Sequence, residues 1–353
     1  MTTAHIQRIA TAVPPHDVHQ AFIDFARTML DDPRAIKLFN RMVDKAQISH
    51  RYAVLEAAED PTGAAIDTGG FYTRGRFPST AERMRLYEQH APALAARAVA
   101  GLELGPDARR VTHLIITSCT GMVAPGIDLQ LIDICGLNPS VERTMVGFMG
   151  CYAAINALKL AHHIVRSEPH SRVLTVNIEL CSLHLQQTTD LEHMLSFLLF
   201  ADGCSASLIG AEAVGLAMDT FHAVVMPNTA DLITWKVRDA GFNMLLSGHV
   251  PAAIRNGLRA NAGEILGDAA PIDHWAVHPG GRSVLDAVEQ GLELAPENLA
   301  ASRAILDSFG NMSSATVMFV LQSMLNEAVP GKHGCAMSFG PGLSAETMRF
   351  HSV

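Results

Sequence analysis

The chain has 353 residues, enough for two domain-sized units or one large fused one. With 48% hydrophobic and only 17% charged residues it can bury a large core and is not a disordered chain. A net charge of −9 works against a general nucleic-acid or anionic-membrane binder, because both need positive potential to meet phosphate, so any anionic ligand requires a local basic patch.

Met1 to Gln20 lacks the basic segment and following apolar run of a secretory leader, and a cytoplasmic protein is the expectation. No apolar stretch approaches the roughly 18 residues that a spanning helix needs. Gln20 to Ala46 reads as one helical segment, with Phe22, Phe25, Met29 and Leu30, then Phe39, Met42 and Val43, recurring at helical spacing. Within it Lys37, Arg41 and Lys45 share one face, opposite the apolar one. Residues 57–80 carry Gly and Pro without periodicity and read as a surface loop; Glu82 to Leu102 resumes helical spacing.

From Val111 the pattern changes to short apolar runs bounded by turn residues: Val111 to Thr117, Val173 to Ile178, Ala206 to Ile209, Trp275 to Val277 and Ala336 to Phe339. These alternate with helical stretches at Tyr152 to Val165, Ser283 to Leu292 and Ser314 to Leu325, which predicts an α/β protein with buried strands. Two of the units repeat weakly. Val111 to Thr117 can be laid on Ile272 to His278, and in the same register Gly150-Cys151 and Gly310-Asn311 each open a helix. The six cysteines include no CxxC pair, and no HExxH accompanies them, so neither a zinc site nor a dense disulfide frame is expected.

Three residues stand out chemically. Cys151 lies between a glycine pair and a good helix former, where the helix start favours thiolate over thiol. His278 follows an apolar run and precedes Pro279-Gly280-Gly281, at a strand end of the kind that opens into a ligand crevice; within reach of Cys151 it would hold a thiolate–imidazolium pair. Asn311 reads as a helix cap by itself, and its N-x-S sequon carries no weight without signs of secretion. If the repeat makes the two helix starts equivalent, all three residues converge. The order Cys, His, Asn also occurs in papain-like proteases, but Cys151 is mid-chain and lacks their local signature. Gly340-Pro341-Gly342 begins a G-x-G-x-x-A string, yet too little chain follows for a dinucleotide site, so those glycines serve close backbone approach to the substrate or the cysteine.

Gly150-Cys151-Tyr152, Val277-His278-Pro279-Gly280-Gly281-Arg282, Gly310 to Ser314, Ser338 to Gly342, Thr117 to Gly121 and Leu199 to Gly203 together give a pattern that resembles the type III polyketide synthases, the chalcone synthase-like family, in its bacterial form. The resemblance implies a thiolase fold: five αβαβα layers in two pseudo-duplicated halves, 1–218 with the nucleophile and 219–353 with His and Asn, usually as a homodimer. It implies that Cys151 takes an acyl starter from coenzyme A and holds the growing chain. His278 and Asn311 would bind the malonyl-CoA thioester carbonyl and stabilise the enolate left by CO2. Phe200 would gate the cavity, and Arg41 and Lys45, with Lys37 beside the position of a third family lysine at Leu38, would meet the coenzyme A phosphates. No metal, nicotinamide or flavin is implied.

Departures from the plant enzymes fall at Met244, in place of a second gating phenylalanine, at His184, in place of a cavity threonine, and at Ala124, in place of a methionine contributed across the dimer. A chalcone product is therefore not expected. The expected reaction is iterative: an acyl-CoA starter, a few malonyl extensions, and closure to an alkylpyrone, a resorcinol or a related phenol. A single-round ketoacyl synthase acting on carrier-protein substrates is the alternative on the same fold, and a degenerate thioester-binding member is a third.

Overall fold

The computed structural model describes residues 2–266 and 271–353. Among these the strands are, in chain order, β1 (His5–Ala12), β2 (His16–Asp17), β3 (Tyr52–Ala53), β4 (His113–Ser118), β5 (Glu142–Gly147), β6 (Val173–Leu180), β7 (Asp202–Gly210), β8 (Leu216–Val225), β9 (Ile233–Arg238), β10 (Gly241–Leu246), β11 (His274–Val277), β12 (His333–Gly340) and β13 (Ser344–Ser352). One nine-stranded sheet runs β11-β12-β13-β8-β1-β7-β6-β4-β5, while β9 and β10 form a hairpin outside it.

That order contains one motif twice. β4 and β6 are parallel, β6 and β7 antiparallel, and β7 and β1 antiparallel. In the other half β11 and β12 are parallel, β12 and β13 antiparallel, and β13 and β8 antiparallel. The halves meet where β1 pairs briefly with β8, Ile6 opposite Leu216. β8 is the first strand of the second copy, and residue 218 falls inside it.

Side-chain alternation builds the layers, because successive strand residues face opposite ways. Leu114 and Ile116 of β4 share a core with Leu94, Ala95 and Ala98 of helix Thr80–Ala100. Ile115, between them, faces Ala154 and Leu158 of helix Ala153–Ser167 and Val317 and Leu321 of helix Thr316–Asn326, a core that Ala276 and Ala336 complete from the other half. Trp275, Val277 and Met337 turn outward onto Ile254 and Leu258 of helix Val250–Leu266 and Leu285 and Val288 of helix Arg282–Leu292. The result is the five-layered αβαβα thiolase arrangement, with two apolar helices buried at its centre. No helix among the described residues is long and apolar enough to cross a membrane.

Two local expectations change. The single helix expected over Gln20 to Ala46 is two, His19–Thr28 and Pro33–Ala46, because Pro33 cannot donate to a preceding turn and Asp32 caps the new start by accepting from the Arg34 amide at 3.0 Å. The repeat also shifts register. The short turns leading into the two central helices are Gly150–Tyr152 and Ser313–Ala315, and Gly150 and Ser313 both have left-handed φ, so the counterpart of Cys151 is Ser314 and Asn311 stands three residues earlier.

Leu158 is fully buried in the central core between the two halves of the sheet. Leu158→Ala is expected to lower unfolding free energy by about 2–5 kcal/mol, measured by chemical denaturation, with a loss below 1 kcal/mol showing that this layer repacks freely.

Candidate active site

Cys151 lies in the turn that feeds the central helix Ala153–Ser167, half-buried, with its thiol 3.7 Å from the Ser313 hydroxyl. Two glycines make this placement possible. A Cβ on Gly150 would come 2.5 Å from the Pro341 ring, and one on Gly340 would come 2.7 Å from the Tyr152 ring and 3.4 Å from the Cys151 nitrogen. The Gly340-Pro341 loop thus closes directly over the cysteine turn, and Tyr152 donates from its hydroxyl to the Pro341 carbonyl.

His278 follows directly on β11 with its backbone N–H donated to the Met337 carbonyl at 2.7 Å, and its ring is buried facing the same cavity. Neither ring nitrogen has a hydrogen-bond partner among the described residues. A buried imidazole left unpaired on both sides is a donor and an acceptor held for something that enters. Asn311 is strapped to the wall by its backbone: its N–H donates to the Leu199 carbonyl and its carbonyl accepts from the Ala201 N–H. Its side-chain oxygen accepts from the Ser313 amide at 2.8 Å, while Nδ2 donates to the Gly280 carbonyl at 3.1 Å, and the same side chain bonds to the Cys151 thiol.

Burial pushes the Cys151 thiol up to about 12, with Ser313 drawing it back and Glu179 adding to the rise. Burial also pulls His278 down to about 3. Burial thus works against charge on both the thiol and the imidazole of the free site.

Behind the cysteine lies a polar layer that sequence reasoning missed. Glu179 is fully buried and accepts from Ser314 Oγ at 2.6 Å, Thr120 Oγ1 at 2.8 Å and the Cys119 N–H at 3.0 Å. Cys119 Sγ lies 3.2 Å from Ser313 Oγ, so Ser313 sits between two thiols. The only sequence signal for Cys119, Thr120, Ser313 and Ser314 was their place in the motifs Thr117 to Gly121 and Gly310 to Ser314, and Glu179 lies outside both.

The cavity wall includes Phe200, Met244 and His184, as well as Trp235, which the sequence did not single out. Trp235 and Met244 are cross-strand partners on the β9–β10 hairpin. Trp235 donates from Nε1 to the Cys119 carbonyl at 2.6 Å. His184 stacks on Phe242 at 4.2 Å between centroids. Its Nε2 faces the Thr120 carbonyl at 2.6 Å and its Nδ1 faces the Phe242 N–H at 3.1 Å. A carbonyl can only accept and an amide can only donate, so His184 is the Nε2–H tautomer, and burial holds it neutral by lowering its pKa to about 3. The hairpin is thereby clamped to the loop that follows β4.

A second pocket opens outside the first and shares Leu246, Val250, Gly280 and Val284 with it. Its rim carries Lys45 and Arg282, the latter also missed. Lys37 and Arg41 are exposed on the same helix as Lys45 but do not line that pocket. Ala124 lies in a separate surface groove with Met122 and Met145, away from the cysteine, and Gly342 follows the lining residues Gly340 and Pro341 without joining them. Among the described residues no three His, Cys, Asp or Glu side chains gather as a metal site would need.

The chain's likeness to known proteins agrees with this geometry. Family models for the N-terminal and C-terminal domains of chalcone and stilbene synthases match residues 1–213 and 217–353. The chain is 35% identical, over its full length and 92% of the relative, to an alpha-pyrone synthesis polyketide synthase-like protein, Pks18, of Mycobacterium tuberculosis. Among solved structures, the C-terminal type III polyketide synthase domain of Steely1, a type I/III hybrid from Dictyostelium, matches with a TM-score of 0.90 at 25% identity over 99% of both chains. PKS-I of the brown alga Ectocarpus siliculosus matches with a TM-score of 0.88 at 28% identity over 100% of this chain and 99% of that one. With both halves matched in order around one Cys, His and Asn cavity, the chain belongs to the chalcone and stilbene synthase family and is a type III polyketide synthase.

Proposed function

We propose that Cys151, His278 and Asn311 carry out repeated loading and decarboxylative extension on coenzyme A thioesters, closing the chain to a pyrone. The observation that carries this reading is their convergence on one mostly apolar cavity, where His278 has both nitrogens free and the Asn311 side chain bonds to the Cys151 thiol. In loading, Cys151 Sγ attacks the starter thioester carbonyl, its proton passes to the bare nitrogen of His278, and that proton leaves on the coenzyme A thiol as the C–S bond breaks. In extension, malonyl-CoA loses CO2 and the bonding electrons remain as an enolate. Negative charge on its oxygen is met by the N–H of neutral His278 and by Asn311 Nδ2, each worth about 3–4 kcal/mol in a dry site. The enolate carbon then attacks the acyl-Cys151 carbonyl, a C–C bond forms, and the Cys151 thiolate leaves.

Substrate entry through the outer pocket places Lys45 and Arg282 where the coenzyme A phosphates pass, with Arg41 and Lys37 as outlying charge on the same helix. Phe200 stands in the wall near Asn311 as the gate. Ile233, Leu246, Val250, Ile254 and Val284 make the lining aliphatic, which fits an aliphatic acyl starter. Closure to a pyrone draws support from the name of the Mycobacterium relative. We also favour a homodimer in the cytoplasm: β5 is an open sheet edge, and Met122, Ile134 and Met145 around it are about half exposed, a patch of the kind that marks an interface. The two halves would act as one unit sharing this site.

Incubation of the purified protein with malonyl-CoA and a panel of acyl-CoAs, followed by mass spectrometry, tests the reaction directly. Products of two or more extensions are expected, whereas a single extension with every starter would point to one-round condensation. Cys151→Ala is expected to abolish acyl-enzyme and product while CO2 release from malonyl-CoA continues. Asn311→Ala or His278→Ala should lower that CO2 release by about 10²–10³-fold. Lys45→Ala and Arg282→Ala should raise KM for coenzyme A thioesters roughly three- to tenfold with kcat little changed, an effect that shrinks in salt. Trp235→Ala, which empties one end of the cavity, should shift products toward longer chains, and an unchanged product profile would remove Trp235 from the wall that sets length.

A further inference from the structure

Beneath the wall that carries Phe200 and Asn311 lies a guanidinium that the condensation itself does not use. Arg51 is fully buried. Its Nη1 donates to the Phe200 carbonyl at 3.0 Å, its Nε to His19 Nδ1 at 2.8 Å, and its Nη2 to the His19 carbonyl at 3.3 Å. Its aliphatic stem lies flat against Gly310: a Cβ there would come 2.7 Å from Arg51 Cγ and 2.9 Å from Cδ. Gly310 has a φ of +67°, so the chain turns into Asn311 at the point where the arginine stem supports it. Phe200 and Asn311 are themselves bridged as neighbouring backbone segments. One side chain thus touches the backbone on both sides of the bridge.

The arrangement is braced from outside. Asp17 accepts from the backbone N–H groups of His19 and Arg51 and faces His50 Nδ1 at 2.6 Å. Burial lowers Arg51 to about 9 while the Asp17 charge raises it, so the guanidinium stays protonated at neutral pH. Burial and Arg51 together pull His19 down to about 4, which keeps its Nδ1 bare as an acceptor. A buried cation aimed at main-chain oxygens makes charge-assisted bonds that hold geometry tightly.

We propose that Arg51 is a positioning residue for extension: it fixes the Phe200 carbonyl and, through Gly310, the backbone from which Asn311 projects. The proposal rests on the roles given above to Phe200 and Asn311. Cys151 belongs to a different turn, Arg51 makes no contact with it, and its thiol meets only the end of the Asn311 side chain, so loading should suffer far less than extension. Displacement of a donor by about an ångström can cost on the order of a hundredfold in rate.

The test measures both half-reactions in Arg51→Gln and Arg51→Lys. Acylation of Cys151 by a starter is followed by rapid-quench mass spectrometry, and CO2 release by labelled malonyl-CoA. For Arg51→Gln we expect acylation within about twofold of the parent and CO2 release reduced roughly ten- to hundredfold, with Arg51→Lys in between because it restores the charge. Equal losses in both half-reactions would mark Arg51 as merely structural and overturn the proposal, as would unchanged CO2 release. If Arg51→Gln does not fold, His19→Leu withdraws the Nε acceptor while leaving Phe200 and Gly310 untouched. It should show the same selective loss at smaller size, and a parallel loss or none overturns the proposal. Asn311→Ala run alongside distinguishes the failures: if it leaves CO2 release intact, the reading of Asn311 falls and Arg51 with it. If it abolishes CO2 release while Arg51→Gln does not, only the Arg51 proposal falls.

Discussion

A carboxylate buried among neutral donors ties the two halves of the molecule together. Glu179, at the end of β6, draws the Cys119–Thr120 loop of the first half and Ser314 of the second onto one pair of oxygens. Burial raises its pKa and those hydrogen bonds pull it back, so each donor bears on whether the charge can be kept. Leaving a buried acceptor unpaired costs about 1–3 kcal/mol, more for a charged one, and the donors here come from both sides of the seam. The thiol layer beneath Cys151 therefore stands on a polar contact that neither half could assemble alone.

The duplication explains why the chemistry sits where it does. Two central helices are covered on both faces by sheets, so their starts are the places where polar backbone must find partners inside the protein. One start presents Cys151 and the equivalent one presents Ser314, whose hydroxyl is turned to Glu179. The two copies of one motif differ in what they present: the first a thiol, the second a hydroxyl bound to Glu179, with His278 and Asn311 on connections beside it. The same burial disfavours a thiolate at Cys151 in the free cavity.

Much of this was legible in the chain, and the parts that were not share a cause. β4, β6, β7, β11 and β12 are buried on both faces and read as short runs rich in apolar and small residues, with isolated polar positions such as Asn177 and Ser205. β5 is exposed along most of its length and β8 beyond Met218, and the hairpin carrying Trp235 is half solvent-facing, so their periodicity was too weak to pick out. Cys151, His278 and Asn311 stood beside glycines and at element ends, a local signature. Ser313, Glu179, Trp235 and Arg51 act through partners far away in sequence, and pairing across more than a hundred residues leaves no local trace. The repeat was visible, but its register was not, because Gly310-Asn311 imitates Gly150-Cys151 by composition while the backbone matches Ser313-Ser314 to it.

The hairpin β9–β10 lies outside the nine-stranded sheet, yet it supplies Trp235 and Met244 to the cavity wall and is held by His184 and the Cys119 carbonyl. Part of the cavity wall and the turns that hold Cys151 and His278 therefore lie on different parts of the molecule. Substitutions in the hairpin can drift, reshaping the space available to a growing chain, without disturbing the sheet that carries the fold or the turns that carry catalysis. A protein built this way can diversify its products under selection while its mechanism stays fixed.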